Sequence, residues 1–325
     1  MADSLSRNDS RSAPGRGRPI PILINREGGG SAAGEEGLAA RIETACHKAG
    51  LAAEVRLLAG AEMSRAVEAH ADREVIAIGG GDGTLRTAAS TLIRLGSTAA
   101  LGILPLGTHN HLARQLAIPL DIAGAVELLG HGRVQRIDVG RVNEHIFLNN
   151  ASIGMYPQLV RSRDEEERRH RIPKWMANIV AARTVLRRLR HHRLQVEANG
   201  HAQAIRTPLL FVGNDVYSLE AGHIGQRASL DAGKLSLFAL ARHSRLSALW
   251  FALRTLIGRA DPEQDFAALE TCSALIVRAH AASIEIALDG ELRWLQTPLR
   301  FASLARALRV IAPRPESISD GTQDR

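Results

Sequence analysis

Residues 79–84 read Gly-Gly-Gly-Asp-Gly-Thr, a stretch whose backbone and side chains could hold a phosphate group. Glycines allow backbone N–H groups to approach an anion closely. The carboxylate of Asp82 would repel phosphate oxygens unless a cation lay between them, and Mg²⁺ is commonly held by one or two carboxylates together with substrate phosphates. The stretch therefore predicts a site for a metal-bound nucleotide.

The residues on either side of this turn predict the elements that must position it. Val75–Ile78 is a β-branched apolar run typical of a buried strand, and Leu85–Leu95 has the pattern of a helix. A helix that begins at the turn adds unsatisfied N–H donors and a favourable dipole. The spacing of the glycines in residues 79–84 matches neither the P-loop nor the dinucleotide-binding fingerprint. An ordinary strand–helix turn with a capping aspartate is the alternative interpretation.

Two further turns have the same setting. Asn25–Gly30 follows the predicted strand Ile20–Ile24, and Gly107–Asn110 follows the predicted strand Leu101–Leu104. Strands that alternate with helices predict a parallel, doubly wound α/β sheet, in which ligands bind at the carboxyl ends of the strands. We expect the three turns to lie at that edge.

The length of 325 residues favours two domains, since single cores stop growing at roughly 250–300 residues. We expect a nucleotide-binding α/β domain at 18–139. Residues 140–312 contain short alternating strands joined by turns such as Asn199-Gly200, which predict a C-terminal antiparallel β-sandwich. Residues 1–17 and 313–325 are predicted to be disordered tails.

Composition narrows the class of partner. The formal net charge of +7 indicates an anionic partner, while an aromatic content of 3% gives few platforms for stacking bases, so nucleic acid is not expected. The two cysteines, Cys46 and Cys272, provide no disulfide framework, which is typical of a reducing cytoplasm. No apolar run reaches the roughly 18 residues that a membrane span needs.

Residues 161–193 are predicted to form a basic helical insertion in the second domain. The segment has eleven Arg or Lys residues against four acids, and an apolar stripe that includes Trp175. Such a helix could lie in an anionic membrane interface, or it could pack on the core with a solvated charged face. The pattern does not separate these two interpretations.

Leu288-Asp289-Gly290-Glu291 ends the run of strands in the second domain. Asp-Gly is a strong hairpin signal, so a plain turn is the simplest interpretation. Phosphoryl transfer to a hydroxyl also needs a carboxylate that accepts the proton. Glu291 is the candidate base.

Three segments together, 80–84 (Gly-Gly-Asp-Gly-Thr), 102–110 (Gly-Ile-Leu-Pro-Leu-Gly-Thr-His-Asn) and 289–291 (Asp-Gly-Glu), resemble the diacylglycerol kinase catalytic-domain family. This family includes soluble bacterial lipid kinases and the sphingosine and ceramide kinases. The resemblance spans roughly residues 20–311. It implies an α/β domain like that of phosphofructokinase and NAD kinase, a C-terminal β-sandwich with ATP between the two, and Mg²⁺-dependent phosphorylation of a lipid hydroxyl.

The resemblance also implies roles for individual residues. Asp82 would be a catalytic residue near Mg²⁺ and the phosphates, and Glu291 would accept the proton of the lipid hydroxyl. The residues expected to contact the nucleotide belong to three loops: Asn25, Gly28, Gly80, Gly81, Gly83, Thr84, Thr108 and Asn110.

Departures from the family pattern leave alternatives open. Arg86-Thr87 stands where the family commonly has Asn-Glu, His111 follows Asn110 where an Asp is usual, and Ala232 replaces a common second Asp. The resemblance, the two cysteines and the net positive charge together still lead us to expect a cytoplasmic lipid kinase that works peripherally at an anionic membrane surface. An NAD kinase and a nucleotide- or lipid-binding regulator without turnover are the alternatives, and the sequence does not indicate an oligomeric state.

Overall fold

The computed structural model describes residues 18–28, 35–154, 191–216, 229–240 and 266–314. The chain divides into two compact units. The first comprises residues up to 135 together with those from 309 onward, and the second comprises residues 136–308.

The first unit alternates strands and helices. Three of its strands, at Ile20–Asn25, Val75–Gly80 and Ala100–Pro105, are buried, apolar runs, as expected for a parallel sheet covered on both faces. The elements are β1 (Ile20–Asn25), α1 (Glu35–Lys48), β2 (Ala53–Leu58), α2 (Met63–Glu68), β3 (Val75–Gly80), α3 (Asp82–Arg94), β4 (Ala100–Pro105), α4 (His111–Gln115) and α5 (Ile122–His131), with single 3-10 turns at Arg26–Gly28 and Gly60–Glu62.

The sheet of the first unit has the order β2-β1-β3-β4, and all of these pairs are parallel. The chain moves outward in one direction from β1 to β2 and in the other direction from β3 to β4. Right-handed crossovers then place α1 on one face and α2 and α3 on the other, and α1 packs against α5 while α2 packs against α3. This arrangement confirms the predicted doubly wound α/β unit, with its switch point between β1 and β3.

The last strand, β16 (Leu299–Ala312), begins in the second unit and ends in the first. Val310 pairs in parallel with Leu101 of β4, and Val310 and Ile311 are fully buried. The Arg309 guanidinium donates to the carbonyl of Thr98 at 2.6 Å. The predicted second domain extends to residue 312, whereas this buried apolar pairing joins residues 309–312 to the first unit.

The second unit contains two groups of antiparallel strands. One group has the order β16-β13-β8-β9 with β5 and β6 beside β16, and the other has the order β12-β11-β10-β7-β14-β15. A single apolar cluster, which includes Phe147, Leu210, Ile286 and Phe301, takes residues from both groups. The predicted antiparallel C-terminal domain is thereby confirmed. Its strands besides β16 are β5 (Arg133–Val142), β6 (His145–Phe147), β7 (Asn150–Gly154), β8 (His192–Ala198), β9 (His201–Thr207), β10 (Leu209–Asn214), β11 (Leu235–Leu240), β12 (Phe266–Cys272), β13 (Ala274–Ala279), β14 (Ser283–Leu288) and β15 (Glu291–Gln296).

One predicted strand is broken in the structure. The alternating pattern of residues 145–151 predicts one continuous strand that pairs with β5, but β6 ends at Phe147 and β7 starts at Asn150. The backbone N–H groups of residues 148–150 turn away to bind the carboxylate of Asp289, and β7 then pairs with β10 and β14. A contact between residues about 140 positions apart ends the strand.

The predicted basic insertion lies mostly outside the described residues. Residues 161–190 are among those not described, and β8 begins at His192, so the last two residues of the predicted helix lie in a strand. The tails 1–17 and 315–325 are also outside the described part. Within the described part, no helix has both the length and the apolar character needed to cross a membrane.

Candidate active site

Asn25 lies at the switch point of the first unit, at the carboxyl end of β1. Its Nδ2 donates to Oγ1 of Thr84 at 3.0 Å, and its Oδ1 accepts from the backbone N–H of Glu27 at 3.1 Å. Thr84 is in the first turn of α3, which follows β3. The Asn25 amide therefore ties the end of β1 to the first turn of the neighbouring strand's helix.

The glycine turn after β3 leads directly into α3. Gly81 has extended backbone angles (φ −89°, ψ −178°) and caps the helix, and its carbonyl accepts from the N–H groups of Thr84 and Leu85 at 3.0 and 3.1 Å. A Cβ atom on Gly80 would lie 2.7 Å from Oγ1 of Thr84. Close approach of Thr84, rather than unusual dihedral angles, requires glycine at position 80.

The third loop, residues 105–110, packs against the glycine turn. A Cβ atom on Gly107 would lie only 2.5 Å from Cα of Gly81, which no real pair of atoms could tolerate. The N–H of Leu106 also donates to the carbonyl of Gly80 at 3.2 Å. Backbone therefore contacts backbone where the loops after β3 and β4 meet.

Asp82 is the first residue of α3, and its half-buried carboxylate accepts two hydrogen bonds from the start of α4, which follows the third loop. Oδ2 accepts from the N–H of His111 and Oδ1 from that of Leu112, each at 3.2 Å. An ionised carboxylate has about four acceptor positions, so these two bonds are compatible with a further cation contact. Among the described residues, no three His, Cys, Asp or Glu side chains converge on a metal-sized position. A Mg²⁺ ion held by Asp82 would complete its shell with phosphate oxygens and water, as Mg²⁺ usually does.

Asn110 shapes the third loop with its own side chain. It is buried and has a left-handed backbone (φ 52°). Its Nδ2 donates to the carbonyls of Gly107 and Pro105 at 2.8 and 3.3 Å, and its Oδ1 accepts from the N–H of Gly107 at 3.0 Å. Both donor hydrogens are used within the loop, whereas the neighbouring Thr108 is exposed. Of the two residues predicted to contact nucleotide from this loop, Asn110 is therefore buried and Thr108 is exposed.

The same loop presents a pair of histidines that the sequence analysis did not single out for binding. The rings of His109 and His111 are stacked, with centroids 5.5 Å apart and planes 14° apart, and both side chains are exposed. Nε of Arg114 donates to the carbonyl of His109 at 3.1 Å. The sequence feature that could have pointed to this pair is the His-x-His spacing, with one histidine on either side of Asn110.

The remaining predicted residues of the first unit take backbone roles. Gly28 ends the 3-10 turn Arg26–Gly28, and residues 29–34 are outside the described part. Gly83 lies in the first turn of α3, where its carbonyl accepts from Oγ1 of Thr87 at 3.0 Å. The departure from the family pattern at Thr87 is thus accommodated within the helix, and Arg86 beside it is buried.

In the second unit, Asp289 fixes the turn between β14 and β15. Asp289 and Gly290 both have positive φ (49° and 87°), and Leu288 pairs with Glu291, the geometry of a two-residue hairpin loop. The Asp289 carboxylate accepts from three successive backbone N–H groups, those of residues 148, 149 and 150, at 2.8, 2.7 and 3.0 Å. This carboxylate acts as a scaffold.

Glu291 has a different environment from Asp289. It is the first residue of β15, its side chain is exposed, and Oε2 lies 3.5 Å from a guanidinium nitrogen of Arg293. An exposed carboxylate is a group that can accept a proton from a bound molecule, and part-buried hydrogen bonds hold the turn that carries this one. Glu291 is presented by the turn, while Asp289 holds the turn in place.

Buried polar side chains support the same part of the second unit. The carboxylate of Asp138 accepts from the N–H groups of Gly233 and Arg306. Nδ2 of Asn214 donates to the carbonyls of Asp138 and Leu148 at 2.9 and 3.0 Å. Asn214 therefore holds β5 against the segment between β6 and β7.

The structure thus brings together most of the predicted site residues within the first unit. Asn25, residues 80–84 and residues 105–111 form one hydrogen-bonded cluster at the carboxyl ends of β1, β3 and β4. Glu291 belongs to the second unit.

Comparison with known proteins supports the resemblance. Residues 19–142 match the family model of the diacylglycerol kinase catalytic domain. Two relatives named diacylglycerol kinase, from Staphylococcus aureus strains bovine RF122 / ET3-1 and JH9, are each 27% identical to the chain over 246 residues, which is 75% of this chain and 76% of the relative.

Solved structures share the two-unit fold. The crystal structure of a diacylglycerol kinase from Bacillus anthracis str. Sterne aligns with a TM-score of 0.65 and 19% identity, over 92% of this chain and 97% of that one. Another structure from the same organism aligns with a TM-score of 0.70 and 21% identity, over 92% and 98%. The family resemblance predicted from the sequence is confirmed, and together the family match and the relatives indicate a diacylglycerol kinase-like lipid kinase.

Proposed function

We propose that this diacylglycerol kinase-like chain is an ATP- and Mg²⁺-dependent lipid kinase that transfers the γ-phosphoryl group to a hydroxyl of diacylglycerol or a related lipid. One observation carries the proposal. Three loops at the carboxyl ends of β1, β3 and β4 are locked to one another at the switch point of a parallel sheet, where such folds bind ligands.

The first unit supplies the nucleotide side of the reaction. The N–H groups of the turn at 80–84 and the start of α3 provide donors for phosphate oxygens. Mg²⁺, when bound, would neutralise charge on the phosphates, and Asp82 is the residue that would hold it. Asn25 and Thr84 keep the turn in one conformation, so little reorganisation is needed when a phosphate binds.

The second unit supplies the base. The lipid hydroxyl gives its proton to Glu291, its oxygen forms a bond to the γ-phosphorus, and the bond from that phosphorus to the bridging oxygen breaks as ADP leaves. The exposure of Glu291 and the three hydrogen bonds that hold the turn before it support this role. Proton acceptance and phosphate positioning are thereby assigned to different residues.

We further propose that the protein works in the cytoplasm, peripherally at an anionic membrane surface. The net charge of +7 supports attraction to such a surface, and a diacylglycerol-type substrate would be presented there.

The test is incubation of the full chain with labelled ATP, Mg²⁺ and a total lipid extract, followed by identification of the labelled lipid. Label in a lipid is expected, and Asp82→Ala or Glu291→Gln should reduce its rate by about a hundredfold or more. A parallel reaction with NAD in place of lipid tests the NAD kinase alternative. Labelled NAD without labelled lipid would overturn the proposal.

A regulator that binds nucleotide or lipid without turnover is the second candidate. The observation in its favour is that both oxygens of Asp82 already bind the start of α4. Tight binding of ATP without any lipid-dependent consumption of ATP would favour this candidate over catalysis.

A further inference from the structure

We propose that the solvent-facing side of β9, β8, β13 and the first residues of β16 is a docking surface for an anionic phospholipid bilayer. These strands are neighbours in one sheet of the second unit, in the order β16-β13-β8-β9. We call this surface the arginine face. The inference rests on the proposed function, because it names the surface by which the kinase would reach a lipid held in a membrane.

The pleat of these strands separates a buried face from an exposed one, since successive side chains of a strand point to opposite faces. One alternate set belongs to the apolar core cluster or packs against it, for example Leu194, Ile205, Leu275 and Phe301. The other set therefore points away from the core. Its members are Ala202, Ala204 and Arg206 on β9, Arg193, Gln195 and Glu197 on β8, Ala274, Ile276 and Arg278 on β13, and Arg300 and Ala302 on β16.

Four arginines lie on this face in one diagonal line. Arg206 of β9 is directly opposite Arg193 of β8. Arg278 of β13 is opposite the second residue after Arg193, and Arg300 of β16 is opposite the second residue before Arg278. Diagonal neighbours of this kind are about 7–8 Å apart, within reach of long side chains. All four arginines are exposed, so they form a continuous basic line across four strands.

The charge of the arginine face is only partly balanced. Four arginines and one glutamate give its described positions a formal charge of +3, out of +7 for the whole chain. Oε2 of Glu197 accepts a hydrogen bond from Nη1 of Arg278 at 2.6 Å, and the Arg278 side chain still remains 44% exposed. The positive charge is therefore reduced at the centre of the line and persists at both ends.

The pair Arg193 and Arg206 is unfavourable in the free protein. Like charges directly opposite each other on neighbouring strands destabilise the pairing. Anionic oxygens between the two guanidinium groups would reverse this effect, because a guanidinium donates up to five N–H groups in a planar fork that matches phosphate geometry. This pair therefore favours an anionic partner over a purely solvated surface.

The residues between the arginines favour a bilayer over a nucleic acid. Apart from Ile276, the uncharged positions of the face are alanines and one glutamine, and none is aromatic. Single-stranded nucleic acid binds by stacking its bases on aromatic side chains, which this face lacks. Short side chains also leave all four guanidinium groups free to reach one plane, as the phosphates of a bilayer surface require. Each Lys or Arg near an anionic leaflet adds to the attraction.

The test is co-sedimentation of the full chain with vesicles that contain phosphatidylglycerol, at low ionic strength, and with vesicles of phosphatidylcholine alone. Arg193→Gln/Arg206→Gln should weaken binding to the anionic vesicles by about tenfold or more, because two cations leave the surface. Glu197→Gln should strengthen that binding by about threefold, since it removes the one negative charge of the face. Binding to phosphatidylcholine vesicles should be weak for every variant and the same.

Arg41→Gln/Lys48→Gln is the matched control. It removes the same charge from two exposed positions of α1 in the first unit, and it should weaken binding to the anionic vesicles by less than about threefold. Thermal melting shows that the chain remains folded. Arg193→Gln/Arg206→Gln should melt at or above the temperature of the unaltered chain, because it removes a like-charge pair.

Kinase assays separate docking from chemistry. With diacylglycerol in anionic vesicles, Arg193→Gln/Arg206→Gln should need about tenfold more vesicle lipid for half-maximal rate, with kcat within about twofold. With diacylglycerol in uncharged detergent micelles, its rate should equal that of the unaltered chain. If the unaltered chain transfers no label to lipid but Arg193→Gln/Arg206→Gln still loses vesicle binding, the proposed kinase function fails while the docking surface stands.

Three results would overturn the arginine face as a membrane surface. The first is undiminished affinity of Arg193→Gln/Arg206→Gln for the anionic vesicles. The second is an equal loss in the Arg41→Gln/Lys48→Gln control, which would reduce the effect to net charge. The third is a loss confined to binding of a labelled RNA duplex or single strand, which would assign the face to a nucleic acid.

Discussion

The carboxylates of Asp82, Asp289 and Glu291 have different environments, as their hydrogen bonds and exposure show. Asp289 accepts three backbone N–H groups and Asp82 accepts two, each from a segment distant in sequence. Glu291, two positions after Asp289, is exposed. The short motif Asp-Gly-Glu therefore combines a residue whose hydrogen bonds hold the turn with one whose carboxylate is exposed.

Asp289→Asn should destabilise the second unit while Glu291→Gln should not. An amide at position 289 would place an NH₂ group, or a single weaker acceptor, against three N–H donors, at a cost of about 1–3 kcal/mol. The measurement is the urea midpoint of each variant. Equal midpoints for the two variants would show that Asp289 is not the scaffold described above.

Cys46 should be inert in the folded protein. Burial, with a smaller contribution from the nearby Glu43 carboxylate, raises the pKa of the Cys46 thiol, so the reactive thiolate is scarce at pH 8. Mass spectrometry after iodoacetamide treatment should show little alkylation of Cys46 without denaturant and complete alkylation in urea. Rapid alkylation of the folded chain would contradict the burial of α1.

Residue types suggest a chemistry for Asp82 and Glu291, but they do not indicate the direction in which a side chain points. Asp82 and Glu291 could be selected because carboxylates near a glycine turn or a hairpin have few chemical uses. The inward turn of Asn110 could not be selected, because it depends on a left-handed backbone and three hydrogen bonds inside one loop. His109 and His111 were missed for the same reason.

At the scale of elements, the central feature is the packing of loops at the ends of β1, β3 and β4. The alternation of strands and helices was predictable from apolar periodicity. The gap between β6 and β7 was not, since Asp289 creates it from a distant part of the chain. Helix α4 was also missed, because its five residues are too few to show a period.

The contact between the glycine turn after β3 and the third loop after β4 can be tested with two separate glycine-to-alanine substitutions. Gly107→Ala would place a methyl group 2.5 Å from Gly81 Cα, and this overpacking should cost about 1–3 kcal/mol. Gly81→Ala places its methyl at an ordinary 3.5 Å from Gly107 in an allowed conformation, and should cost less than about 1 kcal/mol.

Thermal melting of the two variants, without ligand, makes the comparison. A Gly107→Ala protein as stable as the Gly81→Ala protein would mean that the two loops do not touch as described.

At the scale of the whole molecule, the last strand, β16, begins in the second unit and ends in the first. Its residues 309–312 return to β4, so the first unit is completed by residues that lie more than about 170 positions beyond its other elements. Two domains could be predicted from the chain length and from the change in the pattern of strands and turns. It could not foresee that one strand serves both, because strand pairing over such distances has no local signature.

The C-terminal strand should therefore be required by the N-terminal unit. A chain that stops after Leu308 loses the buried Val310 and Ile311 and the pairing with β4, and it should unfold at a markedly lower temperature or aggregate. A chain that stops after Arg314 keeps all of these contacts and should melt as the full chain does. Identical melting of both truncations would contradict the role assigned to β16.

Hydrogen exchange with and without ATP and Mg²⁺ tests most directly whether the three loops at the switch point hold the nucleotide phosphates. The account predicts slower exchange in peptides that cover residues 25–28, 79–84 and 105–111, with no change at the last turn of α1. Saturating nucleotide, verified by calorimetry, that leaves these three segments unprotected would contradict it.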